Sequence, residues 1–174
     1  MTADIVLEEA ALAPAVIDIE ASGFGRGSYP IEVGFVLPDG EAWCSLVRPE
    51  PGWVHWDPTA EQVHRITQDC LQRHGRSCRE IAELLNRRLR GLTVYTDGWA
   101  HDYSWMGRLY EAADLLPSFR LDNLFVLLDD ARLAHWDDTR QQVAQRLQLQ
   151  RHRASADARV LQETVRQLGQ KPLR

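Results

Sequence analysis

The sequence predicts an α/β fold: a mixed five-stranded sheet, its first three strands an antiparallel meander, with helices on its faces. Three observations predict it. Apolar runs of strand length open the chain. After Pro58 the hydrophobic period becomes that of a helix. Short apolar runs then recur between helical segments, the pattern of helices packed on a sheet.

Ala15-Val16-Ile17-Asp18-Ile19 reads as the first strand. Gly23 to Pro30, with Gly23, Gly25 and Gly27, is loop by composition. Ile31 to Leu37 and Glu41 to Val47 read as the next two strands, and Pro38-Asp39-Gly40 between them is a hairpin turn signal. Val63, Ile66, Cys70 and Leu71 then share one helical face, with Thr59 as N-cap. Ile81, Leu84, Leu85 and Leu89 make a second helix, closed by Gly91. Leu92 to Tyr95 is a fourth strand, Asp102 to Ala113 a helix, and Phe119 to Leu121 a short fifth strand. Asn123 to Leu133, Asp137 to Leu149 and Ser155 to Leu168 are helical. The last carries Ala158, Leu161, Val165 and Leu168 on one face.

A length of 174 residues suits one domain over 1–174, with a core at about 14–168, and buries enough surface to fold without disulfide or zinc staples. Cys44, Cys70 and Cys78 are odd in number and lack CxxC spacing, which excludes a disulfide framework or zinc knuckle and suits a reducing cytoplasm. The first 17 residues hold Asp4, Glu8 and Glu9 and no basic residue, unlike a secretory leader, and no apolar run has the 18 residues of a membrane span. The net charge of −5 excludes a uniformly basic nucleic-acid binder, but it divides unevenly. From Arg140 onward there are 8 basic and 2 acidic residues, a balance of +6, against 12 and 23, or −11, before it. The basic C-terminal part is the expected phosphate-attracting face.

Asp18 and Glu20 sit two apart on an apolar strand, so both carboxylates project to one face. Two like charges side by side are unfavourable unless a cation lies between them, and oxygen-rich clusters suit magnesium or manganese. Roughly one Asp-x-Glu arises by chance in such a composition, so a strand end with two solvated acids competes with that reading. Asp102 opens a helix just after the fourth strand, where the helix dipole favours an acid in any case. Asp97 is the nearest competitor for its role. His152 and Asp157 form His-x4-Asp at the start of the last helix, and a histidine there can act as a general base. Trp53, His55 and Trp56 offer rings that could stack on an unpaired base or pack into the rim.

Taken together and in order, these pieces resemble a known family. Val16-Ile17-Asp18-Ile19-Glu20-Ala21-Ser22-Gly23, Ile31-Glu32-Val33-Gly34, His64-Arg65-Ile66-Thr67, Ala100-His101-Asp102-Tyr103-Ser104-Trp105-Met106 and His152-Arg153-Ala154-Ser155-Ala156-Asp157-Ala158-Arg159 are similar to the motifs of the DEDDh 3′–5′ exonucleases. That family includes the proofreading epsilon subunit of bacterial DNA polymerase III, RNase T and oligoribonuclease. Ala21 stands where the family often has Thr, and Gly98-Trp99-Ala100-His101-Asp102 departs from its Asn-x-x-Phe-Asp phrase. The resemblance implies an RNase H-like fold and hydrolysis at 3′ ends of single-stranded DNA or RNA, releasing nucleoside 5′-monophosphates. It implies two divalent cations, Mg2+ or Mn2+, held by Asp18, Glu20, Asp102 and Asp157, with His152 as general base. Ala21, Ser22, Gly23, Phe24 and His64 would bind the terminal nucleotide. Homodimers and polymerase association both occur among such enzymes. A catalytically weak nucleic-acid-binding or polymerase-associated module is the alternative.

Overall fold

Strands β1 (Ala15–Ala21), β2 (Pro30–Val36), β3 (Ala42–Leu46), β4 (Thr93–Thr96) and β5 (Arg120–Asn123) line up in the order β3-β2-β1-β4-β5. The structure, a computed structural model, describes residues 13–170, and the stretch with Asp4, Glu8 and Glu9 lies outside the described residues. β1, β2 and β3 form the antiparallel meander; β4 and β5 join β1 in parallel. The mixed five-stranded sheet is thus as the sequence predicts.

β1 is apolar on both faces because both are covered. Ile17 and Ile19 enter a core with Ile81 and Leu85 of α3 (Cys78–Arg88) and Met106 and Leu109 of α4 (Trp99–Ala113). Val16, on the opposite face, packs with Ala158, Leu161 and Leu168 of α7 (Ala154–Gln170). Strand alternation therefore turns Asp18 and Glu20 toward α7. Leu161 and Leu168 are at most 2% exposed, and each such side chain contributes about 1.5–3 kcal/mol toward holding α7 on the sheet. Gly34, paired with Asp18 across the ladder, permits that approach: a Cβ there would lie 2.3 Å from the Ser155 nitrogen.

Several helix boundaries differ from expectation. The single helix expected across Val63 to Leu71 is two, α1 (Pro58–His64) and α2 (Gln68–His74). Arg65 adopts a left-handed conformation (φ 58°), and Thr67 caps α2 by accepting from the Cys70 amide. The cap of α1 is Asp57, which accepts from the Thr59 amide with Pro58 in the first turn, so Thr59 is the capped residue. The helix expected over Asn123 to Leu133 is a 3-10 turn at Leu124–Leu127 and a short α5 (Asp130–Leu133). Asn123 and Asp129 accept from the backbone at Phe125 and Arg132, competing with a continuous helix. α6 (Trp136–Leu147) follows. Gly91 lies beyond α3, whose C-cap is Leu89, and Ser155 lies inside α7 and does not cap it.

Candidate active site

Asp18 and Glu20 leave β1 on the α7 face, Asp102 comes from the first turn of α4, and Asp157 from the first turn of α7. His152 precedes α7 in a left-handed conformation (φ 58°). Among the described residues, Glu20, His152 and Asp157 each offer an atom within 4.8 Å of the others, a spacing that a cation could bridge. Asp18, Glu20, Asp102 and His152 line one pocket of about 410 Å³. Asp157 opens instead onto a neighbouring cleft of about 480 Å³, lined also by Arg140 and Arg151. The carboxylate cluster therefore sits where two clefts meet.

The carboxylates of the cluster repel one another and are desolvated together. Burial, then the charges of Asp102, Glu20 and Asp157, push the Asp18 carboxyl well above its ordinary range. Glu20 is pushed up to about 7, first by burial and then by Asp157, Glu32 and Asp102. Asp102 also rises to about 7 through burial, against an opposing hydrogen bond from the Thr96 hydroxyl. Burial raises Asp157 too, while His152, Arg140 and Arg151 oppose it. Like charges desolvated together shift in this way, and a hard divalent cation relieves them. Asp97, the competitor of Asp102, also lines the pocket but is paired with Arg140 at 3.5 Å.

Of the expected nucleotide-binding residues, Ala21, Gly23, Phe24 and His64 line the pocket and Ser22 does not. The Ser22 hydroxyl accepts from the Tyr29 amide and pairs with His55 Nδ1, which holds the loop after β1 closed. Gly23 has φ 133°, and a Cβ there would meet Asp57 at 2.5 Å. Phe24 is 68% exposed at the pocket mouth, beside His101 and Trp105. Trp53, His55 and Trp56 pack: Trp53 stacks on Tyr29, and Trp56 donates to Glu61. The grouping of Phe24 with His101 and Trp105 is not legible in the sequence, because these two, four apart on α4, meet Phe24 only through tertiary folding. Within the basic C-terminal part, Arg146 and Arg166 pair with Glu163 of the same segment, and Arg153 pairs with Glu32 of β2; Lys171 and Arg174 lie outside the described residues.

No family model and no curated protein matches the sequence. Solved structures do. The chain is similar to a moderately thermophilic exonuclease I from Methylocaldum szegediense, with TM-score 0.68 and 15% identity over 92% of this chain and 41% of that one. It is also similar to E. coli exonuclease I in complex with a dT13 oligonucleotide, with TM-score 0.68 and 12% identity over 90% and 40% of the two chains. A product-bound exonuclease I matches at TM-score 0.64 and 12% identity, over 86% and 41%. The fold is RNase H-like. This chain spans about two fifths of the length of those proteins. No helix among the described residues is long and apolar enough to cross a membrane.

Proposed function

We propose that this chain is a metal-dependent 3′–5′ exonuclease acting on single-stranded DNA or RNA, with the activity carried by one unit of about residues 14–168. The observation that carries the reading is the convergence of Asp18, Glu20, Asp102, Asp157 and His152 from β1, α4 and α7 on one cluster of charge-strained carboxylates. Four oxygen donors suit two Mg2+ or Mn2+ ions, with Asp18, Glu20, Asp102 and Asp157 holding them. Such ions lower the pKa of bound water and stabilise the attacking and leaving oxygens of a phosphodiester displacement. His152 takes the proton of the attacking water, or orients that water, from its place beside Glu20 and Asp157. Ala21, Gly23, Phe24 and His64 hold the terminal nucleotide, Phe24 by stacking on its base. Water adds to phosphorus as the bond to the 3′ oxygen of the preceding nucleotide breaks. The products are a nucleoside 5′-monophosphate and a strand with a new 3′ hydroxyl. The fold shared with an oligonucleotide-bound exonuclease I supports this reading.

The test is incubation of the purified protein with 5′-labelled single-stranded DNA and RNA, with Mn2+ and with chelator. Chelator-sensitive laddering from the 3′ end is expected, with Asp157→Asn and His152→Ala each slowing it by about 100-fold or more. Binding without laddering would instead establish a nucleic-acid-binding module. Near-full activity in either variant sinks the assignment of roles.

A further inference from the structure

The motif Ile31-Glu32-Val33-Gly34 lines neither cleft of the carboxylate cluster, yet it meets α7 at two points. Glu32 is a fully buried carboxylate, directly opposite Glu20 in the β1–β2 register. Arg153 reaches it from the turn before α7: Nε donates to Oε1 at 3.0 Å and Oε2 at 3.1 Å, and Nη2 to Oε1 at 2.6 Å. The Ala154 amide, at the first residue of α7, donates to Oε2 at 2.9 Å. One carboxylate thus holds the side chain of one residue and the backbone of the next, immediately after His152. Two positions on, Gly34 admits the backbone of Ala154 and Ser155 where any Cβ would collide.

We propose that Glu32 and Arg153 are positioning residues that fix the turn 151–154 and so hold His152 beside Glu20 and Asp157. A buried ion pair is weak support for stability, because desolvation of both charges offsets most of their attraction. What it supplies is direction. The guanidinium fork and carboxylate match in a bidentate geometry that sets the chain's position as well as its proximity. His152 needs such fixing, since its φ of 58° is sparsely populated for a side-chain-bearing residue and persists only when its surroundings over-determine it. The carboxylate also lies at the amino end of α7, where the helix dipole favours a negative charge.

The inference rests on the nuclease reading for its catalytic consequence, though its geometry does not. Two measurements separate them. In the metal-free protein, the His152 ring resonance is assigned by its loss in His152→Ala. It is expected to shift and broaden in Arg153→Ala while the other histidine signals stay, and the Ala154 amide to exchange at least about tenfold faster. Glu32→Gln, which keeps the side chain's shape, should reproduce both changes and serves if Arg153→Ala does not fold. In turnover, Arg153→Ala should lower kcat by about 10–100-fold with KM within about twofold, and Arg153→Lys should recover part of the loss. The same substitution in a His152→Ala background should cost less than about twofold, because a residue acting through His152 has nothing left to position. An unmoved His152 ring, or equal losses in both backgrounds, overturns the proposal. A wild type without nuclease activity overturns the catalytic reading alone, and the resonance measurement still decides whether the clamp holds His152.

Discussion

His64 ends α1, is 4% exposed, and lines the pocket beside Glu20. Its Nδ1 accepts from the Ile66 amide at 3.0 Å, which leaves the ring proton on Nε2, and burial keeps its pKa below the ordinary value. Nε2 is buried and has no partner among the described residues. A neutral imidazole fixed in this way is a hydrogen-bond donor awaiting an acceptor, such as a phosphate or sugar oxygen. His64→Ala should therefore raise KM about tenfold with kcat within a few-fold, measured with short oligonucleotides; an unchanged KM removes His64 from the site. The sequence offers His64 only through the His64-Arg65-Ile66-Thr67 resemblance, because its burial and free nitrogen depend on the break at Arg65. Asp18 and Glu20 were easier to read, since strand alternation alone puts two acids on one face. The sequence does not separate Asp97 from Asp102, because Asp97 is closer to the fourth strand and any acid suits a helix's first turn, where Asp102 stands. In the structure both line the pocket, but their partners differ: Arg140 on α6, distant in sequence, pairs with Asp97, and the Thr96 hydroxyl donates to Asp102.

Between elements, the contact that decides the site is β2 against the start of α7. Gly34 is the point of closest approach, with Ala154 and Ser155 backbone within 2.8 Å of where its Cβ would stand. A methyl group there meets backbone, which cannot rotate away, so α7 must shift outward and carry His152 and Asp157 with it. Gly34→Ala should lower the melting temperature by about 3–10 °C, the effect of overpacking by about 1–3 kcal/mol in a chain of this size. It should also cut nuclease turnover more than that loss of stability accounts for at working temperature. Gly52→Ala, with open space around it, is the control and should leave both unchanged. Thermal melts and rates on the two variants decide the matter. Periodicity located α3, α4, α6 and α7 because each has an apolar stripe. It merged α1 with α2, since Val63, Ile66, Cys70 and Leu71 keep helical spacing across a left-handed residue. In the structure Val63 is instead 48% exposed.

For the molecule as a whole, internal pairing offsets only part of the C-terminal basic excess. Two acids from outside the C-terminal part face it, Asp97 at Arg140 and Glu32 at Arg153, while Arg146 and Arg166 face Glu163, which its balance of +6 already counts. The carboxylate cluster sets how stability depends on pH. Glu20 and Asp102 rise to about 7, and Asp18 and Asp157 rise as well, so the folded chain binds protons that the unfolded chain has already released. Stability from these groups is complete below about pH 4, near the unfolded carboxyl values, and is lost as pH climbs through about 7. Glu80 and Glu163 are shifted down, so their contribution is already complete above about pH 5. His64, also shifted down, acts in the opposite sense below its ordinary value, one imidazole against four carboxylates. In chelator, the melting temperature should fall by several degrees between pH 5 and pH 8. Mn2+ should restore it, with a larger increment at pH 8 than at pH 5, because a cation binding the native cluster competes there with fewer protons. Asp18→Asn should flatten both dependences by removing a charge that Asp102, Glu20 and Asp157 all repel. Melts that are flat with pH in chelator and unmoved by Mn2+ would mean that the four carboxylates neither repel one another nor hold a cation.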